Sequence, residues 1–94
     1  MLFRVSMKVS GRVQGVGFRY FTLETAENIG DLTGFVRNED SDRSVEICAE
    51  GGKPDLERYV SEIRQGPSLS RVNGVNIDWR PIEKRQYEQF TITH

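Results

Sequence analysis

Three glycines and two arginines fall close together in Gly11-Arg12-Val13-Gln14-Gly15-Val16-Gly17-Phe18-Arg19. The alternation of a strand ends just before this stretch, and the periodicity of a helix begins within it. Little side-chain bulk stands in the way there. What is left is a run of backbone N–H groups, the positive end of a helix and the fixed charge of Arg19, a combination suited to a small oxyanion such as phosphate. The N–H groups of Gln14, Gly15, Val16, Gly17, Phe18 and Arg19 are the candidate ligands. An arginine fork meets two phosphate oxygens at once, as a lysine cannot. The known phosphate loops do not fit. A nucleotide P-loop ends Gly-Lys-Ser/Thr, whereas Gly17 precedes Phe18-Arg19, and the dinucleotide fingerprint asks for a third glycine where Tyr20 stands. Taken alone, Gly15 and Gly17 more often mean a tight turn without a ligand, and a lone arginine a surface salt bridge.

The elements that must position this loop follow from periodicity. Phe3, Val5, Met7 and Val9 alternate with Arg4, Ser6, Lys8 and Ser10, which predicts a strand over residues 3–9 with one buried face. After the loop, Phe18, Phe21, Thr22, Thr25, Ala26 and Ile29 share one helical face, with Tyr20, Glu24, Glu27 and Asn28 outward and Gly30 as the stop. Residues 33–38 read as a short strand. Val45, Ile47 and Ala49, alternating with Glu46, Cys48 and Glu50, read as its hairpin partner across the polar turn of residues 39–44. A second helix opens at Lys53-Pro54-Asp55, carries the stripe Leu56, Tyr59, Val60 and Ile63, and stops at Gly66-Pro67. Val72, Val75, Ile77 and Trp79 mark a fourth strand with Gly74 as a bulge; residues 81–86 read as polar connection, and Phe90 and Ile92 as a short last strand. Two amphipathic helices interleaved with these strands give a βαββαβ order. The expected class is α+β, an antiparallel sheet with both helices on one face and a short extra C-terminal strand.

The totals exclude several classes of function. A chain of 94 residues holds one domain, residues 1–94. Thirteen basic and fourteen acidic residues leave a formal charge of −1, so neither a nucleic acid nor a membrane surface is an expected partner. The single cysteine, Cys48, forms no internal disulfide and, alternating away from Ile47 and Ala49, is expected half-exposed. The charged, alternating N-terminus matches neither a signal peptide nor a membrane span, which points to the cytoplasm. With Pro54 six positions after it, Cys48 does not fit a Cys-x5-Arg nucleophile, and the only histidine is the last residue, His94. No cluster has metal-ligand spacing, so no metal and no cofactor is expected. Asp40 and Asp42 read as solvated turn residues, and Arg12 and Arg37 as surface charges or as charges behind the residues that would touch a ligand.

At the glycine loop the chain resembles a known family. Gly11-Arg12-Val13-Gln14-Gly15-Val16-Gly17-Phe18-Arg19 resembles the first signature of the acylphosphatases, and Gly34-Phe35-Val36-Arg37-Asn38 the start of their second. In length and element order the resemblance covers essentially the whole chain. It implies a ferredoxin-like sandwich. It also implies a hydrolase that cleaves the carboxyl–phosphate bond of small acyl phosphates, such as acetyl phosphate, carbamoyl phosphate or 1,3-bisphosphoglycerate, and that phosphate or another oxyanion inhibits. Arg19 is thereby assigned to the phosphate and Asn38 to the attacking water. An amide is too weak a base to take a proton outright. That suits an acyl phosphate, whose carboxylate leaves without protonation and whose phosphate can accept the proton of the water, so that positioning and electrostatics suffice.

The sequence departs from the family pattern at two places. The turn after Asn38 has no glycine and is one residue longer, and Asp31 is an extra residue ahead of Leu32-Thr33-Gly34. Two other functions match the sequence less well. An RNA-binding module would need the aromatics of Gly17-Phe18-Arg19-Tyr20-Phe21 on an open strand, yet they begin a helix. A non-catalytic anion-binding module, like those inside larger carbamoyl-transfer proteins, fits a stand-alone chain less well. The expected state is a monomer, because both apolar stripes are used up in the sandwich.

Overall fold

The structure, a computed structural model, is described for residues 1–93; the expectation that rested on His94 lies outside the described residues. The order is β1 (Leu2–Arg12), α1 (Phe18–Ile29), β2 (Thr33–Glu39), β3 (Ser44–Gly52), α2 (Lys53–Gln65), β4 (Arg71–Ile82) and β5 (Phe90–Ile92). The strands form one sheet in the order β4-β1-β3-β2-β5. Four of them pair antiparallel, as expected. The fifth does not: β5 runs parallel to β2, with Gly34 opposite Phe90 and Val36 opposite Ile92. Direction here is set by the long segment after β4, which carries the chain back across the sheet before β5 begins, and no alternation of Phe90 and Ile92 reports that.

Each expected face is realised. Val5, Met7 and Val9 of β1, Val36 of β2 and Val45, Ile47 and Ala49 of β3 are buried in one cluster with Phe18, Ala26, Leu56, Tyr59, Val60 and Ile63 of the helices. Leu56, Tyr59, Val60 and Ile63 form the whole buried stripe of α2, so truncating Leu56 to Ala costs about 3 kcal/mol. The Tyr59 hydroxyl donates to the Thr22 carbonyl at 3.1 Å and ties α2 to the first half of α1. Burial pushes this phenol's pKa up, because the phenolate would lose its hydration. Gly30 ends α1 at φ +81°, its N–H on the Ala26 carbonyl. The extra residue Asp31 follows in the left-handed region at φ 55°.

Three readings at the sheet's second face need correction. Cys48 is buried, not half-exposed, and Glu50 is fully buried. The fourth strand runs on through Pro81 and Ile82, where polar connection was expected; Pro81 is tolerated because β4 is an edge strand. The register shift lies between Ser10 and Gly11, with Gly74 still paired to Ser10 and Asn73 the extra residue, so the bulge is one position from Gly74. One cause accounts for Cys48 and Glu50. The segment between β4 and β5 crosses the face that carries no helix, its Tyr87 ring packing on Phe35 with centroids 5.6 Å apart. Under that cover the Cys48 thiol is pushed up to about 11, by burial, which the Arg4 charge only partly offsets.

Glu50 is the anchor of that crossing. Its carboxylate accepts from Arg4 Nε at 3.1 Å and Nη2 at 2.8 Å, from Thr33 Oγ1 at 3.2 Å, and from the N–H groups of Gln86 and Tyr87 at 3.0 and 3.1 Å. Burial alone would raise its pKa. The Arg4 guanidinium, the two backbone donors and Thr33 outweigh that and hold it below the ordinary carboxyl value. Arg85 adds bonds to Thr33 Oγ1 and to the carbonyls of Glu50 and Asp31, so the extra residue Asp31 is part of the same anchorage.

Candidate active site

The glycine loop leaves the end of β1 and enters α1. Gly15 and Gly17 sit at φ +74° and +76°, in the left-handed region that other residues enter at a cost of about 1 to 2 kcal/mol. A Cβ added at either would meet nothing within 4 Å, so their glycines answer to backbone conformation and to the open space in front of them, not to neighbouring protein atoms. Successive N–H groups in such a turn point to a common concavity. Among the described residues, no protein acceptor is hydrogen-bonded to the N–H groups of residues 14–20; the first bonded donor of the helix is Phe21, on the Gly17 carbonyl at 3.0 Å. Gly17 caps α1 without a side chain, and the first turn holds no acid. The helix α2 differs, with Asp55 in its first turn.

Of the residues singled out from sequence, Phe18 is buried in the core, Gln14, Val16 and Arg19 are half-buried, and Gly15 and Gly17 are exposed. Among the described residues, the Arg19 side chain has no ion-pair or hydrogen-bond partner; Lys8, Arg4, Arg37, Arg80 and Arg85 each pair with a carboxylate, and Arg12, Arg43, Lys53, Arg58, Arg64, Arg71 and Lys84 do not. A cation on the first turn of a helix opposes the macrodipole, by about 0.3 to 1 kcal/mol, so Arg19 is placed against the local preference. The carbonyl of Arg19 accepts from Thr22 Oγ1 at 2.6 Å.

Asn38 stands near the end of β2. The register puts it opposite Val45 of β3, and Val45 opposite Val9 of β1. It therefore lies at the same end of the sheet as the glycine loop. By strand alternation it shares the helix-covered face with Val36. Its Oδ1 is buried and, among the described residues, has no hydrogen-bond partner. Such orphaned acceptors are rare in folded proteins and call for a ligand or a water.

The lengthened turn after Asn38 is a four-residue loop between Glu39 and Ser44, which remain paired. Arg43 takes the left-handed position at φ 61° that glycine would otherwise fill. Asp42 is more than a solvated turn residue: it accepts from the Ser44 N–H and hydroxyl and pairs with Lys8. The Lys8 ammonium and the two Ser44 donors hold its carboxyl at about 2. Arg12 and Arg37 are surface residues, as expected, Arg37 being paired to Glu46.

One contact was not legible in advance. The Gln14 side chain reaches across to the hairpin, its Nε2 donating to the Glu39 carbonyl at 3.2 Å and the Ser44 carbonyl at 3.0 Å. Sequence directs attention to the Gln14 N–H; only its position inside the loop marks the side chain. A groove of about 380 Å³ opens elsewhere, on the helix-free face, lined by Ser6, Lys8, Glu39, Asn76 and Asp78 among others. Lys8 is already paired there, and no residue of the glycine loop reaches the groove. Among the described residues no group of His, Cys, Asp and Glu has the geometry of a metal site, and no helix is long and apolar enough to cross a membrane.

Comparison with known proteins places the chain in a family. The acylphosphatase family model matches residues 5–92. The chain is 45% identical to an acylphosphatase of Syntrophotalea carbinolica, over 95% of this chain and 94% of that one. It is 50% identical to an acylphosphatase of Salinibacter ruber, over 81% and 78%. The crystal structure of acylphosphatase from Bacillus subtilis superposes with a TM-score of 0.88 at 37% identity, covering all of both chains. A full-length HypF structure in a phosphate- and nucleotide-bound form also matches, at TM-score 0.83 and 29% identity, but this chain corresponds to only 12% of it. With a family match across nearly its whole length and relatives of the same size, the chain belongs to the acylphosphatase family and hydrolyses acyl phosphates.

Proposed function

We propose that the phosphate of the acyl phosphate is held by the N–H groups of Gln14, Gly15, Val16, Gly17, Phe18 and Arg19 and by the Arg19 guanidinium, and that Asn38 orients the attacking water. The observation that carries this reading is a coincidence of unmet polar groups. Among the described residues, loop donors without acceptors, an arginine without a carboxylate, and a buried acceptor without a donor lie at one end of one sheet. Donors and acceptor are what a phosphate and a water require, respectively.

The chemistry needs no acid–base side chain. Asn38 Oδ1 accepts a hydrogen bond from the water and turns its lone pair toward phosphorus. The P–O bond to the acyl group breaks as the new P–O bond forms. The acyl oxygen leaves as a carboxylate, stable without a proton, and the water's proton passes to a phosphate oxygen. Loop and guanidinium stabilise the charge spread over the equatorial oxygens. Neither a metal nor a cofactor enters this scheme, and inorganic phosphate or another oxyanion competes for the same cradle.

Residues 1–94 act as one domain in this reading, since a single cluster joins Val5 near one end to Phe90 near the other. We take the protein as a monomer, because the stripes of both helices are consumed internally, and as cytoplasmic, because Cys48 alone offers no stabilising disulfide.

The test is hydrolysis of acetyl phosphate with and without a chelator, beside a phosphate monoester. Chelator-resistant cleavage of acetyl phosphate, with the monoester untouched and phosphate competitive, is the expected result. Cleavage that the chelator abolishes, or equal cleavage of the monoester, overturns the mechanism.

A further inference from the structure

We infer that the Gln14 side chain is a positioning residue: it fixes the distance between the phosphate cradle and Asn38. The inference rests on the roles proposed above for the loop, Arg19 and Asn38.

The Gln14 amide meets two carbonyl oxygens, those of Glu39 and Ser44. Only an NH2 group can donate to both, so the chemistry sets which way the amide faces. Glu39 and Ser44 are partners across the hairpin, the last rung before its loop. A single side chain thus holds both strands where the hairpin opens, from a residue whose own N–H belongs to the cradle. Glu39 is covalently next to Asn38.

Asn38 is not held by its own acceptor, since its Oδ1 has no partner among the described residues. Its position is therefore set by the strand end beneath it. The other side-chain bonds of the turn, from Ser41 to Glu39 and from Ser44 to Asp42, stay within the hairpin. The Lys8 pair with Asp42 reaches it from β1. Among the described residues, Gln14 makes the only hydrogen bonds between the glycine loop and the hairpin. Without them, cradle and water site would be linked only through the pairing of β1, β3 and β2 behind them. Displacing reacting groups by about 1 Å lowers rates roughly 100-fold.

The substitution Gln14→Met keeps length and neutrality and removes both donors. It is expected to lower kcat on acetyl phosphate roughly 10- to 100-fold while inhibition by inorganic phosphate changes less than about 3-fold. In an Asn38→Ala background the same substitution is expected to change kcat less than about 2-fold, because its effect passes through Asn38. Phosphate inhibition weakened as much as kcat overturns the inference, since Gln14 would then be a ligand. An equal loss of kcat in both backgrounds overturns it as well. Should Gln14→Met not fold, Gln14→Asn, which keeps the donor and shortens its reach, is read the same way. If Asn38→Ala alone retains full turnover, the role of Asn38 fails and this inference with it. If Asn38→Ala loses turnover and Gln14→Met does not, this inference alone fails.

Discussion

Two polar clusters sit on this small sheet, and they are built on opposite terms. Around Glu50, a carboxylate with no exposure accepts from one guanidinium, one hydroxyl and two backbone N–H groups, and the neighbouring carbonyls take Arg85. At the glycine loop, among the described residues, donors point at no acceptor, Arg19 has no carboxylate, and the Asn38 Oδ1 is orphaned. Leaving a buried polar atom unmatched costs about 1 to 3 kcal/mol. A completed cluster stabilises the fold; an incomplete one keeps its hydrogen bonds for something that binds. The contrast of the two helix starts repeats the lesson, α2 carrying Asp55 in its first turn and α1 Arg19.

If that contrast is right, removing a group from one cluster should damage turnover and not folding, and from the other, folding and not turnover. The largest effect is expected from Arg19→Ala: a loss of kcat/KM of roughly 1,000-fold or more, together with loss of phosphate inhibition, while the thermal midpoint is kept. A folded variant that retains both activities breaks the comparison at its centre. Asn38→Ala should lower kcat by roughly 100-fold and leave phosphate inhibition within a few-fold. A parallel loss of inhibition would place Asn38 in the cradle instead of on the water.

On the other side, Glu50→Gln should destabilise the fold by about 3 kcal/mol, measured by urea unfolding, because it strips a charge that two backbone N–H groups and Arg4 are arranged around. Turnover per folded molecule should stay at the wild-type value, and a specific loss of kcat would join the two clusters. The same carboxylate sets the acid response. Its folded pKa lies below the ordinary value of 4.5, so its contribution is complete above that value and is lost as pH falls through the lowered one. The thermal midpoint of the wild type should hold at neutral pH and drop below about pH 4.5, and Glu50→Gln should flatten that drop. The smallest effect is reserved for Asp42→Asn. The Asp42 carboxyl is also lowered, from 3.8 to about 2, so its contribution is complete above 3.8 and lost as pH falls towards 2, but it and Lys8 are exposed and salt-screened. Little change in stability is expected at neutral pH, and what there is should vanish in high salt.

Much of this protein was written in local pattern. Alternation at Val5, Met7 and Val9 and the stripe Leu56, Tyr59, Val60 and Ile63 identify the buried faces because strand and helix periods are properties of neighbouring residues. The glycines before Arg19 mark a candidate anion loop for the same reason: left-handed backbone at Gly15 and Gly17 and a helix start at Phe18 are decided within a few positions. Tertiary structure alone decided what covers the second face. Glu50 and Cys48 alternate like outward residues, and they are buried because a segment more than thirty positions later in the chain crosses them. The parallel course of β5 depends on that same crossing. So does the meeting of Gln14 with Glu39 and Ser44, residues 25 and 30 positions apart from it, on the return of β2 and β3 to the end of β1. A period is read from side chains that follow one another; a contact between distant segments exists only once the chain has closed.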